Sequence, residues 1–281
     1  PYSRGGDGRS ALGPMLREYV VSEAMHTLNV PTTRSLAVVT SGEKVHRETD
    51  LPGAILTRIA SSHLRVGTFE YAIMQQDKEM MRSLVDYTID RHFPSIEDTA
   101  NKALSLLEAV LEKQADLVTH WMRVGFIHGV MNTDNVALSG ETIDYGPCAF
   151  MDSFDPDTVF SSIDDRGRYA YANQPSIAQW NLARFAETLL PILDDDIKHA
   201  SEIAEQVLRS FGPLYKEKWF SMMRSKLGLT GDREEDESLV TDLLDWMHEA
   251  EADYTNLFRD LGQAELPQGK PYDDKAFVAW H

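Results

Sequence analysis

The chain has 281 residues, enough for one large domain or two lobes around a buried core. Its formal net charge of −18 argues against nucleic acid or an anionic membrane as a main partner, because both need basic surface. A single cysteine, Cys148, excludes an internal disulfide, and no apolar run of about 18 residues is present to span a membrane.

The charge is uneven. Residues 1–66 hold eight Lys/Arg against six Asp/Glu, so the acidic excess lies wholly beyond them. A mildly basic front segment suits a triphosphate, and the acidic remainder reads as solvated helix surface. The first residue is proline rather than methionine, so the expectation is a processed piece of a longer protein; no basic-then-apolar leader opens this sequence, and one could have been lost with the missing start.

In chain order, Gly5-Gly-Asp-Gly8 is a loop whose glycines let backbone N–H groups approach a phosphate. Met15 to Leu28 predicts a helix from the spacing of Leu16, Tyr19, Val20 and Glu23, ending near Asn29 and Pro31. Ser35 to Val39, Lys44 to Glu48 and Ala54 to Ala60 read as strands, with a turn at Ser41-Gly42. Arg58 and Arg65 lie in and just after the last of these, and two guanidinium forks on one segment suit phosphate oxygens. Helical patterns follow at Thr68 with Tyr71, at Lys78 to His92, and at Asp98 to Arg123. The last carries Leu104, Leu107, Leu111, Ala115, Val118 and Met122 on one face.

That helix delivers the chain to His128-Gly-Val-Met-Asn-Thr-Asp-Asn135 and then Thr142-Ile-Asp144-Tyr-Gly146. Val136 to Leu138 and Glu141 to Ile143 predict two short strands around Ser139-Gly140, a hairpin that returns Asp144 beside Asn135. One amide oxygen and one carboxylate then suit a hard cation such as Mg²⁺. Gly146 to Pro175 is a long, poorly periodic loop whose aspartates fit no calcium-loop spacing; Asp152 and Arg168 are the candidates to hold it. Ala178, Leu182, Phe185 and Leu189 form a helical face with Trp180 read as core. Ala200 to Phe211 and Pro213 to Leu227 read as helical runs. Glu234-Glu-Asp-Glu237 opens a helix that buries Leu239, Leu243 and Met247, and Pro267 to His281 reads as loop.

The seven-residue step from His128 to Asn135 resembles the protein-kinase catalytic loop, and Asp144-Tyr-Gly resembles its Asp-Phe-Gly metal motif. The kinase base belongs two residues after the His, where this chain has Val130, which cannot accept a proton. The resemblance becomes specific in Pro1-Tyr-Ser-Arg-Gly-Gly-Asp-Gly-Arg9, Arg17-Glu18 with Ser22-Glu-Ala-Met25, and Pro31-Thr-Thr-Arg34. Further on come Thr57-Arg-Ile-Ala-Ser-Ser-His-Leu-Arg-Val-Gly-Thr-Phe-Glu70 and Gln174-Pro-Ser-Ile-Ala-Gln-Trp-Asn-Leu182. Together, and in this order, these words resemble the selenoprotein O family.

That resemblance implies an α+β, protein-kinase-like fold. Residues 1–66 would form an incomplete small N-lobe of few antiparallel strands and one helix, and residues 67–281 a mainly helical C-lobe. It implies protein adenylylation, in which ATP bound in a flipped orientation passes AMP to a Ser, Thr or Tyr hydroxyl of a protein with Mg²⁺ or Mn²⁺. Asn135 and Asp144 would hold the metal on the nucleotide, and Asp134 would be the general base. Asp7 and Gly8 would contact the nucleotide, and Arg58 and Arg65 its outer phosphates, while His128 braces the loop. Glu18 falls where the family pairs a helix Glu with a phosphate-binding Lys. That Lys and its glycine loop lie upstream of this chain, so Glu18 is expected to lack its partner and the piece alone to bind ATP weakly or be inactive. The compartment would be the cytoplasm in a bacterium and the mitochondrion in a eukaryote. The rivals are γ-phosphate transfer by a true kinase, UMP transfer with Mn²⁺, and an inactive nucleotide-binding scaffold.

Overall fold

The computed structural model describes residues 6–96, 99–231 and 233–281. The first five residues of the opening motif, Gly5 among them, and Asp98 lie outside that description. The chain is α+β, with a three-stranded antiparallel sheet in its first part, a two-stranded one near its middle and helices over most of the rest.

Strands β1 (Ser10–Ala11), β2 (Arg34–His46) and β3 (Asp50–Ile59) form an antiparallel sheet in the order β1-β3-β2. Ser10 stands opposite Ala54, and Ser35 opposite Arg58. The turn predicted at Ser41-Gly42 is instead an irregularity inside β2, where the register shifts between Thr40 and Lys44. Gly53 on the facing strand makes this possible: a Cβ there would lie 2.6 Å from Ser41 Oγ and 2.9 Å from Glu43 O.

Helix α1 (Leu12–Thr27) forms where predicted, but it buries a different face. Leu16 and Val20 are exposed, while Glu18, Ser22 and Met25 are buried. The polar residues have partners inside: Ser22 Oγ lies 2.9 Å from Ser35 Oγ on β2, and Glu18 meets β3. Partner geometry outweighs apolar periodicity here.

Helices α2 (Val66–Ile73) and α3 (Lys78–His92) follow, the latter capped by Asp77, which accepts from Glu79 N and Met80 N at 2.9 and 3.0 Å. Helix α4 (Lys102–Arg123) starts later than predicted because Asn101 is its cap, accepting from Leu104 N at 3.1 Å. Its predicted face is buried from Leu107 to Met122, and Leu106, Val110, Leu117 and Trp121 are buried as well. It therefore lies in the middle of the helical part, against α3, α5 (Gln174–Leu193) and α6 (Ile197–Lys226).

Strands β4 (Phe126–Ile127) and β5 (Ala149–Phe150) pair across residues 128–148. The predicted hairpin around Ser139-Gly140 is not formed; its two flanks pair elsewhere. Val66 N donates to Val136 O at 3.1 Å and Leu138 N to Leu64 O at 3.0 Å, while Thr33 N donates to Thr142 O at 3.0 Å and Thr142 N to Pro31 O at 2.9 Å. This stretch is thus stitched to the segments around Pro31 and Leu64, and a hairpin would leave those backbone groups unpaired.

Three further predictions are corrected. Helix α6 runs unbroken through Pro213, because Ala200, Ala204, Val207, Phe211 and Met223 are buried on it and that packing exceeds the ~3 kcal/mol cost of an internal proline. After α7 (Asp236–Glu249) come α8 (Tyr254–Leu261), which the sequence pattern did not indicate, and α9 (Lys275–Trp280), where loop was predicted. Caps explain both: Asp253 accepts from Asn256 N at 2.7 Å and Asp274 from Ala276 N at 2.8 Å, and Phe277 packs on Trp246 at 4.6 Å between ring centroids. Trp180, read as core, is 39% exposed.

One continuous core runs from Met25 and Val30 through α2 to α6 and on to Phe277. Phe185 of α5 is fully buried and edge-on to Phe69 of α2, with centroids 5.0 Å apart. Phe185→Ala should cost about 3–5 kcal/mol, seen as a lower urea midpoint with an unchanged slope.

Candidate active site

Asp144 is exposed and has φ = 69°, a left-handed conformation that aspartate tolerates better than most residues. Both flanks hold it there. Before it, Ile143 O accepts from His128 Nε2 at 3.0 Å; after it, Tyr145 N donates to Glu18 Oε2 at 2.6 Å. The Tyr145 ring is buried and its hydroxyl bonds Thr32. Burial pushes the His128 imidazole below its ordinary pKa, and the carbonyl on Nε2 fixes the proton on that nitrogen. A neutral, buried His128 braces the loop, as the sequence suggests. Gly129, with φ = 78°, sits so close to Pro147 O that any Cβ would overlap it, so the two halves of the catalytic stretch meet there.

Glu18 is 4% exposed and has a partner the sequence did not reveal. Arg58 donates to its Oε1 from Nε at 3.0 Å and from Nη2 at 2.5 Å. The expectation that Glu18 stands unpaired without an upstream lysine is thereby corrected: the opposing strand supplies the cation, in the register that puts Arg58 opposite Ser35. Arg17, one residue earlier, donates from Nε to Gly146 O at 2.9 Å and from Nη2 to Cys148 O. Two consecutive residues of α1 therefore grip the segment that follows Asp144.

The turn Thr133–Asn135 is held by α2. Arg65 Nη1 donates to Asp134 O at 3.0 Å, and Thr133 Oγ1 donates to Glu70 Oε2 at 2.6 Å. Gly67 lies against the Asp134 carboxylate so closely that a Cβ would collide with Oδ1. The α2 start therefore presents its positive end to that carboxylate. Gly67 and Glu70 were missed as site residues; the available signal was a glycine in the first turn of a helix, where it otherwise costs stability. Asn135 Nδ2 donates to Val130 O at 3.0 Å, which leaves its Oδ1 as an acceptor.

An amide oxygen and an exposed carboxylate are hard donors that fit a divalent cation. No three His, Cys, Asp or Glu residues cluster as a metal cage among the described residues, so such an ion would complete its shell with water or ligand oxygens. Asp7 and Gly8 stand apart from these groups. Arg47 hydrogen-bonds Asp7 at 3.0 Å and, with Arg9 N, holds its carboxyl below the usual range. Gly8 borders an open cleft of about 580 Å³ beside Arg9, Ser41 and Gly53. In the long loop it is Asp164 that holds the backbone, accepting from Arg168 N at 2.8 Å and Tyr169 N at 2.7 Å, whereas the backbone of Asp152 accepts from Tyr254 N at 2.8 Å. An aromatic-walled cavity of about 460 Å³ near Tyr171, Phe211 and Trp219 touches none of the predicted site residues.

The family described as protein adenylyltransferase SelO matches residues 1–279. A protein nucleotidyltransferase YdiU from Alcanivorax borkumensis is 65% identical over 281 residues, covering 100% of this chain and 58% of its own length. Proteins of the same description from Nitrosococcus oceani and Brevibacillus brevis are 61% and 60% identical, each again over 100% of this chain and 57% of their own. The chain thus spans less than three fifths of the length of these relatives.

Glu18→Ala would leave the Arg58 guanidinium and the Tyr145 N–H without their acceptor, and should destabilise the protein by about 3 kcal/mol. Urea unfolding of the variant against the parent reads this directly. A loss below about 0.5 kcal/mol would mean that water satisfies both donors.

Proposed function

The chain belongs to the protein adenylyltransferase SelO family, and we propose that its site passes AMP from ATP to a Ser, Thr or Tyr hydroxyl of a protein. The observation that carries this reading is the double clamp on Asp144, set beside a loop whose kinase base position is Val130. We place residues 1–66 and 67–281 as the two lobes of a kinase-like fold with the nucleotide between them.

In this reading Asn135 Oδ1 and Asp144 hold Mg²⁺ or Mn²⁺, which supplies charge neutralisation at the phosphates. Asp134 accepts the proton of the acceptor hydroxyl. The hydroxyl oxygen forms a bond to the α-phosphorus, the bond from that phosphorus to the bridging oxygen breaks, and pyrophosphate leaves. Arg58 uses Nε and Nη2 on Glu18, so its Nη1 is the donor left for an outer phosphate oxygen. Arg65, held by Nη1 on Asp134 O, is the second arginine assigned to the phosphates in this reading. The flipped orientation, with the α-phosphate facing Asp134 and Asp7 and Gly8 reaching the nucleotide from the N-lobe, is carried by the family resemblance alone. No described helix is long and apolar enough to cross a membrane, and the bacterial source of the relatives favours the cytoplasm over the mitochondrion.

The relatives' description names nucleotidyl rather than adenylyl transfer, which gives UMP transfer with Mn²⁺ its standing as the second reading. The test uses the full-length protein with Mg²⁺ or Mn²⁺ and ATP labelled at the α- or the γ-phosphate, with UTP as competitor. Label should reach protein from the α position only, and chelation should abolish it. Asp134→Asn should lower turnover about 10²–10⁴-fold with ATP binding retained. Label from γ alone would make the protein a kinase and overturn the reading.

A further inference from the structure

The long loop ends in an exposed stack of cations on an aromatic ring, which the steps above do not use. The Arg168 guanidinium lies over the Trp180 indole, 4.7 Å from its centroid, and Arg184 approaches the same ring at 5.5 Å. Arg168 also lies 5.7 Å from the Tyr169 ring centroid.

Two tethers fix this stack beside the catalytic turn. The Tyr169 hydroxyl donates to Asn132 Oδ1 at 3.0 Å, and Asn132 immediately precedes Thr133–Asn135. Asn181, next to Trp180 in the chain and fully buried, donates from Nδ2 to Met131 O at 2.9 Å. The stack and the Asp134 carboxylate are therefore referenced to the same few residues of backbone.

The two arginines of the stack differ in their partners. Asp and Glu number 45 against 27 Lys and Arg, and the guanidinia of Arg17, Arg65 and Arg123 that bond no carboxylate among the described residues hold backbone carbonyls of the fold instead. Arg184 has taken Glu187. Arg168 forms no ion pair among the described residues; Asp164, four residues before it, accepts from backbone N–H groups instead. A guanidinium resting on an indole face is weakly hydrated and oriented, and its donor edge matches a carboxylate bidentately. An exposed Trp beside it offers the kind of rigid apolar surface that dominates protein contacts.

We propose that Arg168 and Trp180 form the subsite for the polypeptide acceptor, receiving an Asp or Glu side chain that flanks the modified hydroxyl. This rests on the proposed transfer to protein hydroxyls, and it names the class of sequence that the site takes. The acidic body of the protein repels such a segment at long range, so its acceptance depends on the local cation.

The experiment uses the full-length protein and three fluorescein-labelled peptides that carry one Ser and differ only in a neighbouring Glu, Gln or Lys. Anisotropy titration reads binding without turnover. The Glu peptide should bind about tenfold tighter than the Gln peptide, as a charge-assisted hydrogen bond implies. Arg168→Gln should remove the difference, and Arg168→Glu should turn the preference towards the Lys peptide, a gain that a misfolded variant cannot produce. Equal binding of the Glu and Gln peptides by the parent, or an undiminished Glu preference in Arg168→Glu, overturns the proposal. Transfer of α-label to the same peptides forms a separate arm. Glu-selective binding without any label on the peptides would refute the reaction and leave the subsite standing. Where label does appear, the Arg168→Gln loss should fall on KM for the Glu peptide rather than on kcat.

Discussion

The Glu18 carboxylate is the contact on which the site depends. It is almost wholly removed from water, and burying a charge is costly unless every lone pair has a partner. Its partners come from two distant places: Arg58 on β3 and the backbone N–H of Tyr145, immediately after Asp144. Helix α1, the sheet and the segment carrying Asp144 therefore have one mutual arrangement that satisfies the carboxylate. Arg17 reinforces it through Gly146 O and Cys148 O. On the far side of Asp144, His128 repeats the tactic with Ile143 O, so the exposed carboxylate is aimed by two buried neighbours.

Helix α2 does the same for the other half of the site. Its start carries Arg65, Gly67 and Glu70, which meet the backbone of Asp134, its carboxylate and the Thr133 hydroxyl respectively. The positioning elements are thus a helix on each side of the stretch from His128 to Gly146, and the stretch itself has little regular structure. That division suits electrostatic chemistry, in which fixed placement of charges matters more than covalent participation.

Local signals made much of this legible in the sequence. Helix α3 spans the predicted Lys78 to His92, and the apolar face of α4 is the one that periodicity picks out. Where distant partners decide, periodicity misled. Helix α1 exists but hides Glu18 and Ser22 rather than Leu16 and Val20, because the hidden polar groups find partners. The flanks of Ser139-Gly140 have strand-like sequence and do pair, but with the Pro31 and Leu64 segments rather than with each other. Pro213 marks a break only if helix propensity is weighed without the packing of α6, and Trp180 reads as core only if size is taken for burial. The sequence words from the opening motif to Gln174–Leu182 suggested the selenoprotein O family, and the family match over residues 1–279 agrees with that resemblance. The Glu18–Arg58 pair was not legible: it joins residues 40 apart, and no local rule links them.

The central claim is that Glu18 acts through Asp144. A double-mutant cycle on the full-length protein, with Glu18→Gln and Asp144→Asn, tests it by calorimetric titration of ATP with and without Mg²⁺. Each single change should weaken the Mg²⁺-dependent part of the affinity, and the double variant should be no weaker than Asp144→Asn alone, a coupling of about 1 kcal/mol or more. Additive losses would show that Glu18 contributes independently of Asp144 and would contradict the account.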